Sequence, residues 1–144
     1  MRNAKDTARA RVCVGYDGQV KKWFLGPQAE ERYANEVRVL SYLAMRGCPF
    51  VPKIIEKNDS EKLVITTNCG QKVDQLSERK CQALFEELES YGVRHRDQAV
   101  RNITYHDRLG RFCIIDFEFA TILEKGYDPG PEMKAYPNRK DWKE

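Results

Sequence analysis

Apolar and polar residues alternate from Val12 through Val14 to Tyr16, and again from Val20 through Lys22 to Phe24, with Asp17-Gly18 between the two runs. An Asp-Gly pair in that position is a strong hairpin signal, because both residues tolerate the left-handed backbone of a tight turn. Gly26-Pro27 closes the second strand and opens a helix, with Pro27 at its first position. The pattern carries this helix to about Arg46, before Gly47 and Pro49. Tyr33, Val37, Leu40, Leu43 and Ala44 recur at helical spacing and form its expected apolar stripe. Two short strands follow, 53–56 and 63–66, joined through Asn58-Asp59-Ser60. Beyond a polar connector from Gly70, Ser77 is placed to cap a second helix. Its apolar face is Cys81, Leu84, Phe85, Leu88 and Tyr91, and Gly92 ends it. A polar loop over 94–101 leads to a last hairpin, 103–105 with 112–115, turning at 107–110. From Glu124 onward, glycines and prolines predict an irregular tail. This order does not alternate strand with helix as a doubly wound sheet would, and it predicts an α+β fold in two small layers.

The length of 144 residues fits a single domain, 1–144. With 25 basic against 22 acidic residues, the net charge of +3 gives no basis for a nucleic-acid or membrane-surface partner. No apolar run approaches the roughly 20 residues of a membrane span. The opening MRNAKDTARARV passes from charge into a strand pattern without an apolar signal core, so a soluble cytoplasmic protein is expected. Cys13, Cys48, Cys69, Cys81 and Cys113 are odd in number and contain no C-x-x-C pair, and all five are expected to be reduced and structural. Cys13, Cys81 and Cys113 fall within apolar patterns, where a thiol behaves as a small hydrophobe.

Two charges interrupt the apolar faces. Glu36 lies inside the stripe of the first helix, and Lys22 shares its strand face with Val20 and Phe24. A carboxylate desolvated in that way is costly unless a cation or donors meet it. Lys22 and Glu36 are therefore expected to form an ion pair, whereas side chains at the stripe edge would remain solvated.

A third constellation is His95-Arg96-Asp97-Gln98-Ala99-Val100-Arg101-Asn102, between the second helix and the last hairpin, which ends in Ile114-Ile115-Asp116-Phe117-Glu118. This segment resembles the H-R-D-x-x-x-x-N catalytic loop of protein kinases, with a metal-binding aspartate after the next hairpin. Asn35-Glu36-Val37-Arg38 resembles the kinase helix whose glutamate pairs with a strand lysine, and Val20-Lys21-Lys22 resembles that strand. Leu63 to Gly70 resembles the strand and hinge that border adenine, with Thr66 at about the gatekeeper position. The resemblance covers about residues 12 to 123, with a sheet lobe over 12–68, a truncated helical lobe over 69–123 and the tail over 124–144.

The resemblance implies ATP and Mg²⁺ as ligands. Asp97 would orient or deprotonate a substrate hydroxyl, Asn102 and Asp116 would hold Mg²⁺, and Lys22, positioned by Glu36, would bind phosphates. Arg101 would reach the transferring group, while Val20, Thr66 and Asn68 would border the nucleotide. His95 would brace the loop. A Ser/Thr protein substrate, or a partner protein completing the truncated lobe, is the partner implied.

The chain departs from the family in four ways. It has no G-x-G-x-x-G, because Gly15 and Gly18 alone do not form that loop. Only eleven residues precede Val12, so the first strand of the sheet lobe is expected to be missing or irregular. The metal motif reads Asp-Phe-Glu, as in choline-kinase-like and aminoglycoside-phosphotransferase-like relatives. Only 28 residues follow Asp116, which leaves no A-P-E and no room for later helices. The alternative implied is a pseudokinase, a nucleotide- or protein-binding regulatory module.

Overall fold

The computed structural model describes residues 2–6 and 9–133, with side chains from residue 9 onward. Its elements are β1 (Arg2–Asp6), β2 (Ala10–Val14), β3 (Gln19–Phe24), α1 (Ala29–Met45), β4 (Ile54–Asn58), β5 (Leu63–Thr67), β6 (Gln71–Lys72), α2 (Glu78–Ser90), β7 (Val93–Arg94), a 3₁₀ turn (Val100–Asn102), β8 (Ile103–His106), β9 (Arg111–Ile114) and β10 (Thr121–Ile122). The fold is α+β. Five antiparallel strands form a sheet in the order β1-β2-β3-β5-β4, and α1 lies between β3 and β4 in the chain. The remaining strands form a three-stranded sheet, β6-β8-β9, and the short pair β7-β10.

The first hairpin differs in detail from its sequence pattern. Val14 pairs with Val20, and Gly15–Gly18 form the turn, closed by Gly15 N–H on the Gln19 carbonyl at 2.8 Å. Tyr16 therefore stands exposed in the turn and does not belong to the strand. Cys13 is buried while Val12 and Val14 are half-buried, because the valines face an open cleft. The first strand of the sheet is present: β1 pairs with β2, irregularly, with a shift between Asn3 and Lys5. Its Arg-Asn-Ala-Lys-Asp sequence carries no alternation, and only an edge position lets such a strand form.

Helix α1 starts two residues after Pro27, with Gln28 in the left-handed region as its N-cap. Its inner face holds Tyr33, Leu40 and Leu43 as expected, but Ala44 is exposed and Val37 only half-buried. Arg32, Asn35, Glu36, Val39 and Tyr42 complete that face. Helix α2 is capped as its sequence implies, Ser77 Oγ accepting from Lys80 N–H at 3.2 Å, and it buries Leu84, Phe85 and Leu88. The larger core joins Leu40 and Leu43 of α1 to Phe85 and Leu88 of α2 and to Ile103, Ile114 and Phe117 around the β8–β9 hairpin. A smaller one, Phe24, Tyr33 and Val64, seats α1 on the five-stranded sheet.

The two-residue strands β6, β7 and β10 add pairings that no pattern in the chain announces. Gly70 enables the first, because its φ of +100° turns the chain onto β8, and a Cβ there would collide with the Tyr105 carbonyl. Residues 124–133 are irregular, as expected, and the rest of the tail lies outside the described residues. All five cysteines are free thiols; Cys81 is half-buried and the others are buried. No helix among the described residues is long and apolar enough to cross a membrane.

Candidate functional site

The face of the five-stranded sheet and the loop before β8 enclose a cleft of about 280 Å³. Every site residue read from the sequence lines it. Val20, Lys22, Glu36, Thr66 and Asn68 come from the sheet and α1, and Asp97, Arg101, Asn102 and Asp116 from the opposite wall.

Lys22 is the centre of its charge. The alternation of β3 turns Lys22 inward and leaves it 8% exposed, with Glu36 4% exposed on the facing turn of α1. Nζ lies 3.1 Å from Glu36 Oε1 and 3.1 Å from Asp116 Oδ1, with Glu118 Oε2 at 3.4 Å. The ion pair expected between Lys22 and Glu36 is thus present, and two further carboxylates join it. Burial alone would lower the lysine pKa, but Asp116, Glu36 and Glu118 outweigh it and hold the ammonium well above its ordinary range. Burial raises the pKa of Glu36; Lys22 pulls it back, and Asp116 and Glu118 push it up again.

Two residues that the apolar stripe passes over, Arg32 and Asn35, complete this wall together with Glu118. Arg32, four residues before Glu36 on the same helix face, is 1% exposed. It donates to the Pro27, Leu25 and Arg9 carbonyls and lies 3.5 Å from Glu118 Oε2. Asn35 Nδ2 donates to the Glu118 and Ala120 carbonyls at 3.0 and 2.8 Å, which pins the chain after Asp116 to α1. Glu118 is thus ion-paired with both cations. Three carboxylates and two cations share this wall.

On the opposite wall, Asn102 is 1% exposed and donates from Nδ2 to the Asp97 carbonyl at 2.9 Å and to Asp97 Oδ2 at 3.0 Å. Its side-chain oxygen, Oδ1, is what it has to offer a ligand. Arg101 Nη2 holds the other Asp97 oxygen, Oδ1, at 2.5 Å. Ile115 N–H donates to the Asn102 carbonyl at 2.9 Å, so the base of the β8–β9 hairpin sets Asn102 beside the segment that carries Asp116. Phe117 N–H donates to Glu36 Oε1 at 2.9 Å and fastens the same segment to α1. Arg96 and Asp116 have φ of +71° and +63°. Each left-handed non-glycine residue costs of order 1–3 kcal/mol, and such strain concentrates where side chains are being aimed.

Thr66 is buried at the end of β5, its Oγ1 donating to the Thr67 carbonyl at 3.0 Å, and Asn68 Oδ1 accepts from Gly70 N–H at 2.9 Å. Arg9 and Lys72, which no motif singles out, also line the cleft.

His95 is buried between the rings of Phe85 and Phe117, with centroids at 5.2 and 5.1 Å. Its Nδ1 accepts from Asp97 N–H at 3.2 Å, which leaves Nε2 to donate to the Ile115 carbonyl at 2.9 Å. The ring therefore ties the Asp97 loop to the Asp116 segment as a neutral imidazole. Burial lowers its pKa. A histidine held neutral in the fold but protonated when unfolded contributes stability above the unfolded pKa of about 6.5 and loses it as pH falls. Urea midpoints should accordingly decline from pH 7 toward pH 5, and His95→Gln should flatten that decline.

No protein-family model matches the chain, and no curated protein matches it.

Proposed function

We propose that the cleft binds ATP with Mg²⁺ and transfers the terminal phosphoryl group to a hydroxyl, by family prior Ser or Thr of a protein. The fold would be protein-kinase-like, with a five-stranded sheet lobe carrying one helix and a truncated helical lobe. One observation carries this reading: Lys22 Nζ on a strand lies 3.1 Å both from Glu36 on a helix and from Asp116 at the far end of a hairpin. The lysine stands on the third strand and the glutamate on the helix that follows, the placement protein kinases use. The apolar lining from Val12, Val20, Val64 and Ile115 suits a flat base.

The donor set fits magnesium. Among the described residues no three His, Cys, Asp or Glu side chains gather to hold a metal by themselves. Mg²⁺ is usually bound by one or two protein oxygens, with phosphate and water completing its shell. Asp116 and the Asn102 side-chain oxygen, Oδ1, would be those ligands. Bound there, the ion would neutralise charge on the phosphates.

The chain's own residues supply the rest. Lys22, fixed by Glu36, binds phosphate oxygens. Asp97 orients the acceptor hydroxyl and takes its proton, while Arg101, four residues on, moves from Asp97 toward the transferring group. Such catalysis is mostly positioning and charge stabilisation. A second reading, a pseudokinase serving as a regulatory module, is favoured by one feature: both Asp97 oxygens are already engaged, by Arg101 and Asn102.

Incubation with Mg²⁺ and ATP labelled at the terminal phosphate, with a generic protein acceptor, separates the two. Label should enter the acceptor or the chain itself and should require magnesium. Nucleotide binding without any label transfer would favour the regulatory module.

A further inference from the structure

Arg9 immediately precedes β2 and lines the cleft without a role in the chemistry above. The strand register fixes the end of the cleft at which it stands. Val14 of β2 pairs with Val20, whose other neighbour is Thr66, so this end of β2 lies on the side assigned to the base. Toward its other end, Val12 pairs with Lys22 and Ala10 with Phe24, and Leu25 N–H donates to the Arg9 carbonyl at 2.7 Å. Arg9 therefore lies beyond Lys22, on the side away from the base. Its main chain is tied to the charged cluster there: Arg32 Nη1 donates to the Arg9 carbonyl at 3.3 Å and lies 3.5 Å from Glu118 Oε2. Its guanidinium reaches the segment that carries Asp116, with the central carbon over the Phe119 ring at 5.4 Å from the centroid.

We propose that Arg9 is a phosphate-binding residue, whose side chain supplies the hold on the nucleotide phosphates that a glycine-rich loop supplies in protein kinases. The inference rests on the reading of the cleft as an Mg·ATP site. The other cations near this end already have partners. Lys22 is shared by Glu36, Asp116 and Glu118, and Arg32, 1% exposed, serves three carbonyls and Glu118. Arg101 holds Asp97 on the opposite wall. A guanidinium suits the task, because its fork of N–H donors matches the oxygens of a phosphate. Its contact with Phe119 is electrostatic and by itself consumes no donor. Holding a phosphate and the ring together, Arg9 would clamp the sheet to the Asp116 segment and close that end of the cleft.

Titration calorimetry on the full chain, with Mg·ATP and separately with adenosine, compares wild type, Arg9→Ala and Arg9→Lys. Arg9→Ala should weaken Mg·ATP binding on the order of 10- to 100-fold, the range a hydrogen bond to a charged group supplies, and leave adenosine binding unchanged. Arg9→Lys should recover part of the loss, because it restores the charge without the fork. Both substitutions spare the carbonyl that Leu25 and Arg32 hold. If Arg9→Ala nevertheless does not fold, Arg9→Gln takes its place. Equal Mg·ATP affinity in wild type and Arg9→Ala would overturn the inference and leave the reading of the cleft standing. An equal loss of adenosine affinity, the mark of a purely structural role, would do the same. Wild type that binds no Mg·ATP would overturn both.

Discussion

Replacing Asp97 with asparagine should cut phosphoryl transfer by about 100- to 10,000-fold, the range a general base contributes, and leave Mg·ATP binding unchanged. Asparagine keeps the shape of the side chain, and the bond from Asn102 Nδ2 to the residue 97 carbonyl does not depend on it. The lost ion pair with Arg101 is a small matter, because the arginine side chain is 59% exposed and such pairs contribute up to about 1 kcal/mol. Single-turnover transfer and equilibrium nucleotide binding, measured on the same preparation, separate the two effects. Loss of binding together with transfer would mean that Asp97 contacts the nucleotide and not the acceptor.

The largest effect on stability is expected from Lys22→Met. The methionine fills similar space but removes the cation that Glu36, Asp116 and Glu118 share. Leaving a buried charge unpaired costs about 3–5 kcal/mol. The loss should depend on pH in a particular sense. In the variant, Glu36 is buried among carboxylates without its ammonium, so its folded pKa lies above the unfolded value of about 4.3. The native state then binds more protons than the unfolded state in that window, and stability falls as pH rises. Urea midpoints of Lys22→Met should recover toward wild type on acidification, and Lys22→Met with Glu36→Gln should regain part of the loss at neutral pH. A Lys22→Met chain as stable as wild type at pH 7 would mean that the cluster does not depend on its ammonium.

The parts of this molecule that were legible from sequence are those where pattern and burial agree. Alternation placed β3 and with it the inward turn of Lys22; helical spacing placed α1 and Glu36; Ser77 and Gly92 bounded α2. What could not be read has physical reasons. Strand β1 is an edge strand whose Arg-Asn-Ala-Lys-Asp sequence carries no alternation, and it enters the sheet by backbone pairing to β2. Strands β6, β7 and β10 have two residues each, too few for a period. Arg32 and Asn35 are polar, so a search for apolar recurrence passes over them, although they occupy the same helix face as Glu36. Their signal was the interruption itself: three polar residues on one buried stripe need partners, and Lys22 meets Glu36, the Glu118 carboxylate meets Arg32, and the Glu118 and Ala120 carbonyls meet Asn35. Pro27 misled by two residues because Gln28 takes a left-handed conformation before the helix begins.

The measurement that bears most directly on the central claim is the melting temperature of the chain with and without millimolar Mg·ATP. A ligand that binds only the native state adds RT ln(1 + [L]/Kd), about 2.7 kcal/mol at a hundredfold excess over Kd, which for a domain of this size raises the midpoint by several degrees. Wild type should show that rise, greater with magnesium than with ATP and a chelator, and Asp116→Ala should lose the magnesium-dependent part alone. An unchanged midpoint in wild type at millimolar Mg·ATP would contradict it.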